Sequence, residues 1–225
     1  MKPRHSHMQI CWHEVLDSTN SEVRRHLEDL DNLSVTAAVE QTAGRGRGGH
    51  RWASAPGENL MFSVLLKFGT PELAPLAAKD AVLITQAVTL ALGDWLEAEG
   101  VSPRIKWPND IWIGDRKICG ILIENTVDAG NVTASIVGIG VNLNQTDFDP
   151  ALPNPTSLSL LTGRKYDIKA SLEDFCSVLE ESLGKMNGMD GRNELASRFA
   201  VKMFYLEKDR EEAMEAAIAR YESLQ

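Results

Sequence analysis

Gln41 to Trp52 reads QTAGRGRGGHRW, and this segment limits the fold more than any other stretch of the chain. Arg45, Arg47 and Arg51 stand there among Gly44, Gly46, Gly48 and Gly49. Glycine lets a backbone take positive φ and approach an anion closely, and arginine brings forked donors for carboxylate or phosphate. The segment reads as a loop that follows a strand and cradles an anion. A solvated basic loop fits the same composition. The letters of GxGxxG occur at Gly44 to Gly49, but Trp52, Pro56 and Gly57 follow where a long helix should open. A dinucleotide-binding reading therefore fails, and the spacing is not that of a Walker A loop either. Trp52 can clamp the loop or stack a base, or it can simply pack into the core.

Hydrophobic periodicity supplies the frame around this loop. Strands are expected at Ile10 to Val15, Ser34 to Glu40 and Leu60 to Phe68, with a short amphipathic helix over SEVRRHLEDL after Asp17-Ser18-Thr19-Asn20. A long helix is expected from Ala77 to Glu99, with Val82, Gln86, Leu90 and Trp95 near one stripe and Gly100 after it. Four strands follow at Arg104 to Trp107, Ile111 to Ile113, Lys117 to Glu124 and Val132 to Asn142, with turns at Gly114-Asp115 and Ala129-Gly130-Asn131. From Leu158 the pattern is helical, with Leu172, Phe175, Cys176, Leu179 and Leu183 at helical spacing, and Arg210 to Leu224 is rich in Ala and Glu. This order predicts an α+β fold, a mixed or antiparallel sheet with helices on one side and a helical C-terminal tail.

Composition narrows the function. At 225 residues the chain suits one large domain, or one domain with a small appendage. A net charge of −9 argues against broad nucleic-acid binding and makes the basic loop a local exception that focuses anions into one pocket. No apolar run approaches the roughly 18 residues a membrane span requires, and residues 1–9 lack the apolar stretch of a signal peptide. Cys11, Cys119 and Cys176 are odd in number and far apart. Each reads as a small buried apolar residue in a reducing cytoplasm. The histidines have no metal-ligand spacing and neither CxxC nor HExxH occurs, so a protein-ligated metal is not expected.

Three further segments carry chemistry. In Lys106-Trp107-Pro108-Asn109-Asp110 a lysine ends a strand before a bend fixed by proline, so it is held in position. Two unit charges 4 Å apart repel by roughly 4 kcal/mol at an effective dielectric near 20, so a carboxylate attacking a phosphate needs cations already in place. A surface lysine beside a turn is the plainer alternative. In GIGVNLN, Gly138 and Gly140 alternate and clear one face of a strand, so a flat ligand can lie on backbone while Asn142 reads an amide or purine edge; a bulged strand fits too. Gly120 in KICGILIE invites the same reading. Ser18, Thr19, Asn20 and Gln41 can serve a polar neutral ligand, and helix capping is the equal alternative for the first three.

Together DSTN at 17–20, the glycine–arginine loop, KWPND at 106–110, KICGILIE at 117–124 and GIGVNLN at 138–144 resemble the biotin protein ligases. The resemblance covers residues 10–165 and implies a catalytic core at 1–165 of the biotin/lipoate ligase, class II synthetase-like type, with a helical extension at 166–225. It implies biotin, ATP and Mg2+ as the small molecules, with the metal held mainly by phosphates. Biotinyl-5′-adenylate forms first, and biotin then passes to one lysine of a biotin carboxyl carrier protein. It further implies that Ser18, Thr19, Asn20, Gln41 and Gly44 line the biotin site and that Gly120, Gly138 and Gly140 are its backbone walls. Arg45 and Arg47 close over biotin and phosphates, and Lys106 bridges the biotin carboxylate and the α-phosphate. By the same resemblance Asn142 is expected to contact adenine, and Trp52 to offer it a stacking surface. A homodimer through a sheet edge is compatible with the family. Three features depart from it. His50 stands where a further arginine is usual. The strand at Ile10 leaves no room for a DNA-binding winged helix-turn-helix. The tail from Tyr166 is helical where relatives carry a small β-barrel.

Overall fold

A computed structural model of the protein describes residues 6–204. The expected helix at Arg210 to Leu224 lies outside the described residues. One mixed sheet organises the rest. Its strands are β1 (Ile10–Leu16), β2 (Val35–Gln41), β3 (Leu60–Lys67), β4 (Leu76–Ala77), β5 (Pro103–Lys106), β6 (Asp110–Ile113), β7 (Arg116–Asp128), β8 (Asn131–Val141) and β9 (Met203–Phe204). The order across the sheet is β1-β2-β3-β8-β7-β6-β5-β9, with β4 paired to β8. The β1–β2 and β5–β9 pairs are parallel, and the other ladders are antiparallel. The α+β architecture expected from the pattern is the one observed. The two-residue β9 is an exception, a strand added to the sheet edge within a tail read as helical.

The helices are α1 (Thr19–Arg25), α2 (Val82–Ala98), α3 (Leu158–Thr162), α4 (Ile168–Gly184) and α5 (Met189–Lys202). Side chains alternate across a strand, so the two sheet faces have different partners. Phe62, Val64, Val137, Ile139 and Ile121 point to one face and share a core with Leu90 and Trp95 of α2, Leu172 and Phe175 of α4, and Leu195 and Phe199 of α5. The Phe175 ring sits at its centre, 5.6 Å from Phe62 and 5.9 Å from Trp95. The opposite face carries α1, whose Val23 packs on Leu65, Ala134 and Ile136. The long helices thus cover one side, and the small α1 leaves most of the other side open.

Two local readings need correction, besides the short helix α1, which spans Thr19–Arg25 and stops short of the expected Leu30. The long helix begins at Val82, after the β4 residues and a 3-10 turn at Ala78–Asp80. Val82 is exposed while Leu90 and Trp95 are buried. The helix packs on the sheet and against both α4 and α5, so its apolar surface spreads well beyond the stripe read from Val82 and Gln86. Ala78–Ala98 is long and apolar enough to cross a membrane by length and composition alone, and here it is the central core helix. Cysteine is the second correction. All three are free thiols, but Cys11 is exposed on the edge strand β1, and only Cys119 and Cys176 are buried. Burial pushes the Cys176 thiol up to about 12.

Capping explains where the tail helices start. Asp167 takes extended dihedrals, and its carboxylate accepts from Ala170 N at 2.9 Å. Ser157 does the same for α3, which Gly163 ends at φ 72°. Asp167→Ala is expected to lower stability by ~1 kcal/mol in urea unfolding, without change in the slope.

Candidate functional site

The ladder registers place the glycines. Asp110 is opposite Gly120, and Gly120 is opposite Gly140. Lys106 is opposite Asp110 on the other side. Residues directly opposed in a ladder point to the same face, so Lys106, Asp110, Gly120 and Gly140 form one transverse row on the face that carries α1. A second row on that face runs Leu122, Gly138, Ser63 and Thr36. Three of these eight positions lack a side chain, and the sheet surface is hollow there. A cleft of ≈ 520 Å³ opens over the hollow.

The protein's own side chains fill the glycine gaps. A Cβ at Gly120 would lie 2.8 Å from Trp52 Cζ3, and one at Gly140 would overlap the Trp52 indole. Trp52 therefore lies on the backbone of the Gly120–Gly140 pair. A Cβ at Gly138 would lie 2.8 Å from Asn20 Cγ and closer still to its Oδ1. The alternating glycines admit an indole and an amide, which then become part of the cleft.

At the polar end, Ser18, Thr19 and Asn20 are each 3% exposed. Ser18 occupies the N-cap position of α1 without making a side-chain cap, so the capping alternative is set aside. Thr19 N and Oγ1 donate to Gln41 Oε1 at 2.8 and 3.3 Å. Ser63 Oγ lies 2.7 Å from Thr19 Oγ1 and 2.6 Å from Asn20 Oδ1. Asn20 Nδ2 donates to Glu124 Oε2 at 2.9 Å. The result is a rigid array of donors and acceptors fixed by three elements, which suits a neutral polar group such as an amide or urea.

The glycine–arginine loop forms a miniature hairpin over the cleft. Gly46 N donates to His50 O at 2.7 Å, Trp52 N donates to Gly44 O at 3.0 Å, and Arg45 bridges to Arg51 between them. The tip is a 3-10 turn at Arg47–Gly49, with φ 65° at Gly48 and 82° at Gly49, which only glycine adopts without strain. Arg45, Arg47, His50 and Arg51 all line the cleft. Arg45 Nη2 and Nη1 donate to Glu124 at 2.8 and 3.2 Å. Burial pushes the Glu124 carboxyl up, but hydrogen bonds from Asn20 and Arg45 and the charges of Arg45 and Arg24 outweigh it and hold it below the ordinary glutamate range.

Most of the residues singled out from sequence meet in this cleft: Ser18, Thr19, Asn20, Gln41, Arg45, Arg47, Trp52, Gly120, Gly138 and Gly140. Gly44, Lys106 and Asn142 are not among its lining residues. Gly44 is buried under the Trp52 carbonyl, so it shapes the hairpin base. The Asn142 amide donates to Thr156 O at 2.9 Å and ties the Pro155–Leu158 segment to the sheet. Lys106 belongs to the cleft face, but its ammonium lies 5.3 Å over the Trp112 ring. Asn109, Asp110, Lys117, Ser63 and Glu124 were missed as site residues. Lys117 lines the cleft, with its ammonium 2.8 Å from Asp110 Oδ1 and 5.8 Å over the Trp52 ring. Two signals were available: Ser63 is the one polar residue inside LMFSVLL, and Lys117 and Glu124 bound the KICGILIE motif.

This sheet, with its hollow and its arginine hairpin, forms one cleft-bearing α+β domain. Residues 12–142 match the biotin/lipoate A/B protein ligase family, and the chain belongs to it. It is 36% identical over 162 residues to the bifunctional ligase/repressor BirA of Bacillus subtilis (strain 168), a match covering 70% of this chain and 48% of that protein. It is 35% identical over 164 residues to the biotin--[acetyl-CoA-carboxylase] ligase of Paracoccus denitrificans, covering 70% of this chain and 65% of that one. The chain spans about half the length of the first BirA relatives it matches. Among solved structures, the biotin protein ligase from Aquifex aeolicus in complex with biotin and ATP superposes with a TM-score of 0.72 at 28% identity, covering 88% of this chain and 79% of that chain.

Proposed function

We propose that the protein activates biotin with MgATP to biotinyl-5′-adenylate and transfers biotin to a lysine of a biotin carboxyl carrier protein. One observation carries this reading: a rigid polar array and a set of cations line one glycine-floored cleft. The array at Ser18, Thr19, Asn20 and Gln41 suits the ureido ring of biotin. The cations of Arg45, Arg47, Arg51 and Lys117 suit its carboxylate and the nucleotide phosphates. Trp52, lying on Gly120 and Gly140, offers an apolar surface in the same cleft. Magnesium enters with ATP as the counter-ion of its phosphates; among the described residues no three His, Cys, Asp or Glu side chains gather to hold a metal.

Activation requires the biotin carboxylate to approach the α-phosphate, and cations preset along the cleft lower that repulsion without reorganising. We assign Lys106 the bridging role, swung from Trp112 toward its ladder neighbour Asp110. Closing the arginine hairpin would exclude water from the mixed anhydride. The helices from residue 166 onward form an extension to a ligase core at 1–165, and the three free thiols fit a cytoplasmic setting. The test is incubation with biotin, MgATP and a carrier domain, read by mass spectrometry for one biotin on the carrier lysine. Absence of both adenylate and biotinylated carrier removes the reading. Arg45→Ala is expected to release adenylate into solution about 10-fold faster, measured as free biotinyl-AMP in the absence of carrier.

A further inference from the structure

Glu124, at the far end of KICGILIE, stands where three groups converge. Its Oε2 accepts from Asn20 Nδ2 at 2.9 Å. Its two oxygens take the fork of Arg45 at 2.8 and 3.2 Å. The guanidinium of Arg24, from α1, lies 2.9 Å from Oε1. The Glu124 side chain is 18% exposed, against 44% for Arg45 and 56% for Arg24.

A carboxylate that receives a guanidinium fork offers the geometry a phosphate or substrate carboxylate offers. Arg45 lines the cleft, and Glu124 does not. The fork that faces the substrate site is therefore occupied by an anion of the protein itself. If Arg45 left alone, a largely buried carboxylate would lose its compensation, which is costly. Arg24 removes that cost, because it stays on Glu124 from the other side. The two arginines make Arg45 releasable.

We propose that Glu124 is a positioning residue that acts as an internal counter-anion. It docks the arginine hairpin over the empty cleft, orients Asn20 at the polar end, and hands Arg45 to the substrate anion while Arg24 remains behind. The handover rests on the ligase reading for its anion; the docking does not. It couples the hairpin to the polar array, since the carboxylate that releases Arg45 also holds the amide that meets the ureido group.

Neighbouring substitutions then shift nucleotide affinity in opposite directions. Glu124→Gln keeps an acceptor for Asn20 and frees Arg45, so ATP should bind about 3- to 5-fold tighter to the biotin-loaded protein. Arg24→Gln leaves Arg45 as the main compensation for Glu124, so ATP should bind about 3- to 5-fold weaker. A merely structural role for Glu124 would weaken binding in both. The measurements are ATP affinity by calorimetry and amide hydrogen exchange over residues 44–52 in the protein without ligand. Glu124→Gln should speed that exchange several-fold, with the thermal midpoint showing that the fold persists. Weaker ATP binding in Glu124→Gln, or native exchange in its hairpin, overturns the proposal. If the native protein binds neither biotin nor ATP, the ligase reading and the handover fail together, and the exchange measurement still decides the docking.

Discussion

Gly138→Ala is expected to lower biotin-dependent adenylate formation by about a hundredfold while the protein stays folded. The added methyl would enter the space of the Asn20 amide, 2.8 Å from Cγ. That amide cannot retreat easily. Its Oδ1 accepts from Ser63 Oγ at 2.6 Å, and its Nδ2 donates to Glu124 at 2.9 Å. The methyl cannot move either, because Gly138 is paired on both sides, to Leu122 and to Ser63. Overpacking of this kind costs about 1–3 kcal/mol of stability, which a domain of this size survives. Catalysis suffers more, because displacing a substrate-positioning group by about 1 Å can cost a factor of about 10².

The measurement is pyrophosphate release with biotin and MgATP, beside a thermal midpoint to show that the variant is folded. Gly184→Ala serves as the control. A Cβ there meets open space, and its dihedrals are helical, so rate and stability should stay near native. A Gly138→Ala protein with native kcat and KM would remove Asn20 from the site.

How much of this could be read from the chain differs by kind of residue. Strands β2, β3, β7 and β8 announce themselves through runs of β-branched and apolar side chains, and their observed ends fall close to the expected ones. The glycine hollow was legible because Gly138 and Gly140 are two residues apart, and a two-residue period fixes one face whatever the register. What fills the hollow was not legible. Trp52 and Asn20 reach Gly140 and Gly138 across 88 and 118 positions of sequence, and only the ladder β7-β8-β3 sets those meetings. Asn142 shows the converse. Its letters sit inside the quoted GIGVNLN motif, yet the chain turns back at Thr156 and claims the amide for a loop. The exposed Cys11 was misread because an edge strand cannot be told from a central one without the pairing order.

Charge was legible in sign and less so in partnership. The cluster of arginines among glycines predicts a cation-lined cavity on an acidic protein. It does not reveal that Arg45 already has a carboxylate partner at 2.8 Å, because Glu124 lies 79 residues away. It also does not say which lysine reaches the cleft. Lys106 ends β5 and Lys117 lies on β7, with β6 between them; Lys106 is opposite Asp110 in the ladder, and the Lys117 side chain reaches the same carboxylate.

Those two lysines should fail in different ways when replaced by methionine. Lys106 is opposite Asp110 in the transverse row that continues through Gly120 and Gly140. Its stem is long enough to follow either Trp112 or the cleft. Removing the cation assigned to the carboxylate–phosphate bridge should lower the rate of activation by about 10²–10³. Lys117 is already committed, with its ammonium 2.8 Å from Asp110 Oδ1, an oxygen shielded from solvent. Lys117→Met would remove that ammonium from the carboxylate. Because the lysine side chain is 32% exposed, the expected loss is only about 1–2 kcal/mol, below that of a fully buried pair. Adding Asp110→Asn to Lys117→Met should recover most of that stability, since it removes the charge that the lysine had paired. Urea unfolding and pyrophosphate release read the two effects separately. Native activation by Lys106→Met would take that lysine out of the reaction, and native stability of Lys117→Met would mean that Asp110 is solvated and that the row of cleft charges is not coupled.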